Sequence, residues 1–532
     1  MDPLLGILLT ILPIALAFVM LLFLHKAADT TGVVVWLVTL GIAAIAFQTD
    51  VGIALVASLA GIVKSFPISL MVLTSILMMT WMQETGALQR MIVFFKTLGG
   101  GSRPMQILAI SFGLGLFLVG IGATPVSMLP PVMLALGYSP LVAVALPAIG
   151  YDPLTTYALL GVPVVVFQQQ YTQWAEPISL PAAGAVFAWF MPVVSLGIAV
   201  SMLWIAGGKN LLFSKEGVAL AAICGLTAGG MAILCNVVFP LTTLTNVFAG
   251  AMVLFILFLY NKSRKQSLID RRVLNDEDYK VEESMSLKRA SIPWIILVVL
   301  SLATNLIPPV FDLLFAQLEF PIEVFTYPDA IKTRFLWQAY TLMFISTIVS
   351  VPLFRRDSAV MKATWTKFKS RAPRPVIAAA IFFAMAEVLN FSGYVVGSSG
   401  EWLFPSDPTN NMIFLLASVT AGLGLAYPLV APFLGLLAGF ISGSETSAIA
   451  MFTRYHVNTS AALAVPANAA VVAASNGIGG GLASVLSPAK IQNAAAVIDE
   501  IGIEGQVIRY GVVVAVLMTL ATSILTLLWA FG

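Results

Sequence analysis

The chain is poor in charge. Only 10% of its 532 residues are Asp, Glu, Lys or Arg, while 59% are hydrophobic. A soluble domain carries about 25% charged residues, so this chain lacks the polar surface needed to face water. It has two cysteines, Cys224 and Cys235, and two histidines, His25 and His456. The cysteines share one apolar run, which implies neither a disulfide framework nor a thiolate metal site. Two distant histidines offer no haem or zinc ligand set, so no metal and no cofactor is expected. Basic and acidic residues nearly balance, 27 against 25. No basic stripe interleaves with aromatics, which argues against a nucleic-acid partner.

What the chain does have is long apolar runs: 4–24, 184–206, 217–237, 292–306, 335–351, 375–391 and 507–531. Crossing a bilayer takes about 20 residues as a helix. The runs are continuous rather than alternating, and backbone groups in lipid must pair internally. The expectation is an all-α polytopic membrane protein with roughly 12–14 membrane segments, several short or broken. Residues 1–24 start without basic residues and lead into more apolar sequence, which reads as a first membrane helix rather than a cleaved signal.

Two polar stretches organise the chain. Segment 261–289 mixes Lys262, Arg264, Lys265, Arg271, Arg272, Lys280, Lys288 and Arg289 with six acids. It is expected to be a solvated cytoplasmic linker, 261–290, between a membrane half at 1–260 and another at 291–532. Segment 355–374 holds seven basic residues against Asp357, and its Trp365 and Phe368 suit a short helix at the inner leaflet. Short Lys/Arg-rich loops stay in the cytoplasm. The acidic stretch 311–329 lies one span from each and belongs outside.

The most telling pattern is a pair of matching interruptions. One is Phe117-Leu118-Val119-Gly120-Ile121-Gly122-Ala123-Thr124-Pro125, and the other is Phe440-Ile441-Ser442-Gly443-Ser444-Glu445-Thr446-Ser447. Each is followed by an alanine-rich run ending in Pro-Ala, then by a polar break, Gly150-Tyr151-Asp152-Pro153 or Ser475-Asn476-Gly477. Broken segments at corresponding places in two halves point to a transporter substrate site, with the halves as inverted pseudo-repeats and the broken helices re-entrant. Gly477-Ile478-Gly479-Gly480-Gly481 lacks a preceding strand and a Gly-Lys-Ser/Thr sequence, so it is not a nucleotide loop.

Charges inside apolar segments are costly and tend to be functional. The candidates are Asp152, Glu176, Glu387, Glu445, Arg454 and Lys490. Ser444 can cap a helix with Glu445 in its first turn, and Asp152 can cap one that starts at Pro153. Helix starts at Thr124-Pro125, Asp152-Pro153, 444–447 and Asn476-Gly477 can together make a carboxylate site from free N–H groups. Thr124, Ser127, Tyr151, Asn390, Ser444, Thr446, Ser447, Asn476, Gly477 and Arg454 are the substrate-site candidates, and Glu445, Asp152 and Glu387 the proton-handling ones. For Arg454 and Lys490 the expected place is a loop edge or a snorkelling position.

At these residues the chain resembles the bacterial lactate permease family, carriers of lactate and glycolate. The resemblance is strongest over 432–509: Pro432-Phe433-Leu434-Gly435, Gly443-Ser444-Glu445-Thr446-Ser447, Ala474-Ser475-Asn476-Gly477, Ser487-Pro488 and Gly502-Ile503-Glu504-Gly505. The family's Gly-Ser-Asp-Thr-Ser has Glu445 here for its aspartate. Leu389-Asn390-Phe391-Ser392-Gly393 looks like the family's Met-Asn-Tyr-Ser-Gly. Val119 stands where the family has an acid, and Gly150-Tyr151-Asp152-Pro153 replaces Asn-Thr-Ala-Pro, so Asp152 supplies an acid nearby. Arg454 and His456 stand where the family has uncharged polar residues. The resemblance implies a carrier, not an enzyme, that imports small 2-hydroxy monocarboxylates such as L-lactate with H+ by alternating access. It implies a multi-pass protein of the prokaryotic plasma (inner) membrane, in contact with lipid, as monomer or homodimer.

The rival readings are a sodium-coupled or larger-acid carrier of the same group, a membrane-embedded enzyme, and a channel. The enzyme would need a catalytic cluster that two distant histidines do not signal. Interrupted halves favour alternating access over a pore.

Overall fold

The computed structural model describes residues 3–22, 24, 26–98, 100–123, 125–354, 358–500 and 502–532. Apolar runs without competing polar side chains close their backbone bonds within the segment, so the chain is helical almost throughout. Among the described residues nine helices are long and apolar enough to cross a membrane. The count is ten if Ile292–Leu306 and Pro308–Gln317, bent by 92°, form one span. Four shorter apolar helices, Leu4–Ala17, Asp29–Ile45, Val51–Lys64 and Ala339–Leu353, accompany them. Two small antiparallel pairs, Phe320–Ile322 with Ile331–Thr333 and Val395–Val396 with Trp402–Leu403, stiffen loops. Residues from before 261 and after 290 share one buried apolar core.

The first interruption follows the sequence pattern. Helix Gly115–Gly120 stops, Gly122 turns left-handed at φ +82°, and the chain resumes as Pro125–Met128. The break after Pro140–Ile149 is longer than expected. A 3-10 turn, Asp152–Tyr157, leads into Ala158–Trp174, whose first turn holds Leu159, Leu160 and Gly161 at φ +55°, +57° and +77°. In the second half, Gly443 closes Tyr427–Ser442 at φ +65°, and Ser444 caps Glu445–Ala462, its Oγ accepting from the Ser447 N–H at 3.2 Å.

One expected break is absent. Ala469–Ser484 is a single helix straight through Ser475-Asn476-Gly477. Its glycines serve close packing instead. A Cβ on Gly435 or Gly439 of the neighbouring helix would strike the backbone carbonyl of Asn476 or Gly480, and one on Gly479 would strike that of Pro432. Small residues that bring helix backbones together are the usual adhesive between helices in lipid.

The charged segment after Thr245–Ser263 is docked rather than freely solvated. Its short helix Asp276–Ser284 is closed by a capping box from Asn275. Asp278 pairs with Lys96 at 2.7 Å and Glu282 with Arg90 at 3.0 Å, both on Ala87–Thr97. The Asp270 N–H donates to Thr97 O at 2.7 Å. The basic segment forms Ser358–Arg371, with Trp365 half exposed under Lys369, and runs directly into Pro373–Asn390.

Candidate functional site

Two buried polar clusters sit in this apolar frame, joined by Ala158–Trp174 and Glu445–Ala462, which pack along each other. The first lies where the 3-10 turn meets the start of Glu445–Ala462 and the second half of Ala469–Ser484. Pro153 favours the sharp entry of that turn, and Ser195 Oγ fixes it by donating to Pro153 O at 3.1 Å. Tyr157 OH donates to Gly184 O at 2.7 Å. Anchored so, Thr156 Oγ1 donates to Glu445 Oε1 at 2.7 Å. The partner oxygen, Glu445 Oε2, is buried without a hydrogen-bond partner, as is Asp152 Oδ1. Glu445 is 3% exposed and Asp152 4%.

Gly481 makes room for the carboxylate. A Cβ there would lie 2.5 Å from Glu445 Oε2 and 3.1 Å from Thr155 Cβ. Lys490, from Pro488–Ala496, places its Nζ 5.4 Å from the centre of the Tyr151 ring and faces Asp152 electrostatically. Asp152 feels the Lys490 ammonium and, as a like charge, the Glu445 carboxylate. Ionised carboxylates are costly to bury without partners, so a proton or a further cation is needed to balance them. Ser447 Oγ is buried and unpartnered nearby on the first turn of its helix.

The second cluster is built at the far end of Ala158–Trp174 and the middle of Glu445–Ala462. Lys64 Nζ lies 3.0 Å from Glu387 Oε2 and donates to Gln173 Oε1 at 2.7 Å and Tyr327 OH at 2.8 Å. Tyr327 OH donates to Glu387 Oε2 at 2.8 Å, and Asn390 Nδ2 to Glu387 Oε1 at 3.4 Å. Arg454 stacks its guanidinium 4.0 Å from the centre of the Trp174 ring and donates to Asn390 O and, at 3.3 Å, to Tyr394 OH.

The sequence candidates therefore divide. Tyr151, Asp152 and Glu445 meet in the first cluster, together with Thr155, Thr156, Gly481 and Lys490, while Ser447 lies on the same helical turn as Glu445 with its Oγ buried and unpartnered. Ser444 is spent on its cap, and Thr446 is buried beside it. Asp152 opens the turn but does not cap it, since its Oδ1 bonds nothing. Asn476 and Gly477 lie mid-helix, not at a helix start. Asn476 Nδ2 donates to Ala448 O at 3.3 Å, and Gly477 packs on Ile449 and Phe187. Glu387, Asn390 and Arg454 belong to the second cluster, about 13 Å along the helix from Glu445 at 1.5 Å per residue. Arg454 is 7% exposed in mid-helix, not at a loop edge. Lys490 is likewise turned inward, over a buried ring. Thr124, and the side chain of Ser127, lie outside the described residues. Lys64, Gln173 and Tyr327 were missed. Lys64 had a signal, a lone cation between apolar runs.

The family model described as L-lactate permease matches residues 6–531. The glycolate permease GlcA of Escherichia coli (strain K12) is 24% identical over 99% of this chain and 96% of its own length. The L-lactate permease of Halalkalibacterium halodurans is 21% identical, with 97% and 96% covered. That of Streptococcus iniae is 21% identical, with 84% and 90% covered.

Proposed function

The chain belongs to the L-lactate permease family, and from that premise we propose that it imports small 2-hydroxy monocarboxylates, L-lactate and glycolate among them, by proton symport with alternating access. The membrane is the plasma (inner) membrane of a prokaryote, in keeping with its bacterial relatives. The halves 1–260 and 291–532, as inverted pseudo-repeats, would each contribute one interrupted segment to the site.

The observation that carries this reading is the pair of buried carboxyls, each with an oxygen free, with Lys490 over the adjacent Tyr151 ring and set against Asp152. The Lys490 ammonium takes the substrate carboxylate through a charge-assisted bond. The free Asp152 oxygen accepts the substrate hydroxyl. Glu445 takes the proton, so that the H+ and the substrate anion enter together and leave the net charge of the site unchanged. No metal or cofactor has a part in these steps.

The free oxygens of Asp152 and Glu445 are also hard ligands of the kind a small cation takes. Sodium coupling is the second reading. Purified protein in liposomes, given labelled L-lactate under an imposed proton or sodium gradient, separates the two. The expected result is uphill uptake with the proton gradient alone. Glu445→Gln should retain lactate exchange and lose that uphill uptake. Accumulation driven by sodium alone, or by neither ion, overturns proton symport.

A further inference from the structure

The second cluster has a charge its own residues do not answer. Lys64 and Glu387 pair with each other. Arg454 adds a second cation that acts on Lys64 as a like charge, with exposed Asp329 also felt there. Among the described residues no carboxylate lies within ion-pair distance of Arg454; its partners are a carbonyl and a phenol. A buried guanidinium without an anion is costly, and it has five N–H donors in a planar fork suited to a carboxylate.

Two further groups beside it are orphaned. Trp174 Nε1, in the ring that Arg454 stacks on, is a buried donor without a partner. Asn390 Oδ1 is a buried acceptor without one, its amide oriented by the bond from Nδ2 to Glu387. Asn390 is fully buried. A cationic fork and a neutral donor beside one acceptor match an acid with a hydroxyl next to its carboxylate.

We propose that Arg454, Trp174 and Asn390 form a second 2-hydroxycarboxylate station, separate from the one at Asp152, Glu445 and Lys490. Arg454 and Trp174 take the carboxylate and Asn390 Oδ1 accepts the hydroxyl. The station lies beneath the loops that carry Tyr327 and Tyr394, on the side of the acidic, outward stretch. An incoming anion would meet it first and then pass along Glu445–Ala462 to the Glu445 site. The identity of the acid rests on the transport reading above, but the existence of the station does not.

Equilibrium dialysis of labelled L-lactate against purified full-length protein tests this. Wild type should bind two equivalents, Arg454→Gln and Lys490→Gln one each, and the double variant none. In the Lys490→Gln background, Arg454→Lys and Trp174→Phe should each weaken the remaining site by about tenfold, the cost of one good bond. Propionate, which lacks the hydroxyl, should bind there about as weakly. If Arg454→Gln does not fold, Trp174→Phe carries the test. One equivalent in wild type that Lys490→Gln abolishes overturns the station. So does binding in Lys490→Gln that ignores both Arg454→Lys and Trp174→Phe, or no lactate bound by any form. If Lys490→Gln is without effect while the Arg454 variants lose an equivalent, the transport reading of the first site fails and the station stands.

Discussion

Glu387 and Glu445 are both buried glutamates on helices, yet their surroundings are opposites. Glu387 is held by a lysine, a tyrosine and an asparagine, with both oxygens engaged. Glu445 has one bond, from Thr156, and one oxygen facing the bare backbone of Gly481. A satisfied buried ion pair fixes a structure and resists change. A carboxyl left half free is available for a proton or a ligand. Burial alone would rank the two equally, and partner count separates them. On this ground we propose that Glu387 holds the fold and that Glu445, of the two, is the one that exchanges a proton.

The largest effect should come from breaking the satisfied pair. Lys64→Met leaves Glu387 buried without its cation and should cost about 3–5 kcal/mol, read as a fall in the unfolding temperature in detergent. Lys64→Met combined with Glu387→Met should recover most of it. Next comes Gly435→Ala, whose methyl meets the Asn476 backbone carbonyl, which cannot step aside; overpacking of this sort costs about 1–3 kcal/mol. Gly481→Ala is its counterpart at the open cluster. There the methyl meets the mobile end of Glu445, so stability should hold while lactate uptake falls by at least about tenfold, the loss of one positioned bond. Thr156→Val removes the one bond to Glu445 and should cost about 1 kcal/mol. Glu445→Gln should be the mildest to stability, below about 1 kcal/mol, because the amide oxygen still accepts from Thr156. If Glu445→Gln unfolds as readily as Lys64→Met, the two glutamates do not differ in kind.

Much of this was legible in the sequence, for reasons that also mark the limit. Membrane class follows from composition. The turns at Gly122 and Gly443 were legible because glycine beside hydroxyls or proline is a local signal, and Glu445 and Asp152 because a charge in an apolar run stands out. Ser475-Asn476-Gly477 was misread, since glycine for packing and glycine for breaking look alike until the neighbouring helix is seen. Arg454 was misplaced for a similar reason: the ring that accepts its charge, Trp174, lies 280 positions away in the chain. Thr156 carries no signal at all, being one threonine among many until it is set against Glu445. The docking of 261–290 was hidden because its acids pair with Arg90 and Lys96, far upstream.

Leu159 and Leu160 sit in the left-handed region with only Gly161 beside them suited to it. Such a conformation costs a branched side chain about 1–3 kcal/mol, so the two leucines together hold about 2–6 kcal/mol. That is the size of the gap between alternative conformers of a switching protein, a few kcal/mol. Under the alternating access proposed above, the turn would act as a counterweight. Any conformer in which it rewinds right-handed recovers that energy, and even the lower figure shifts relative populations about thirtyfold. The wrong-handed turn lies between the Asp152 turn and Trp174, so a rewinding there would move the Asp152 turn relative to Glu445–Ala462, the helix that carries both Glu445 and Arg454.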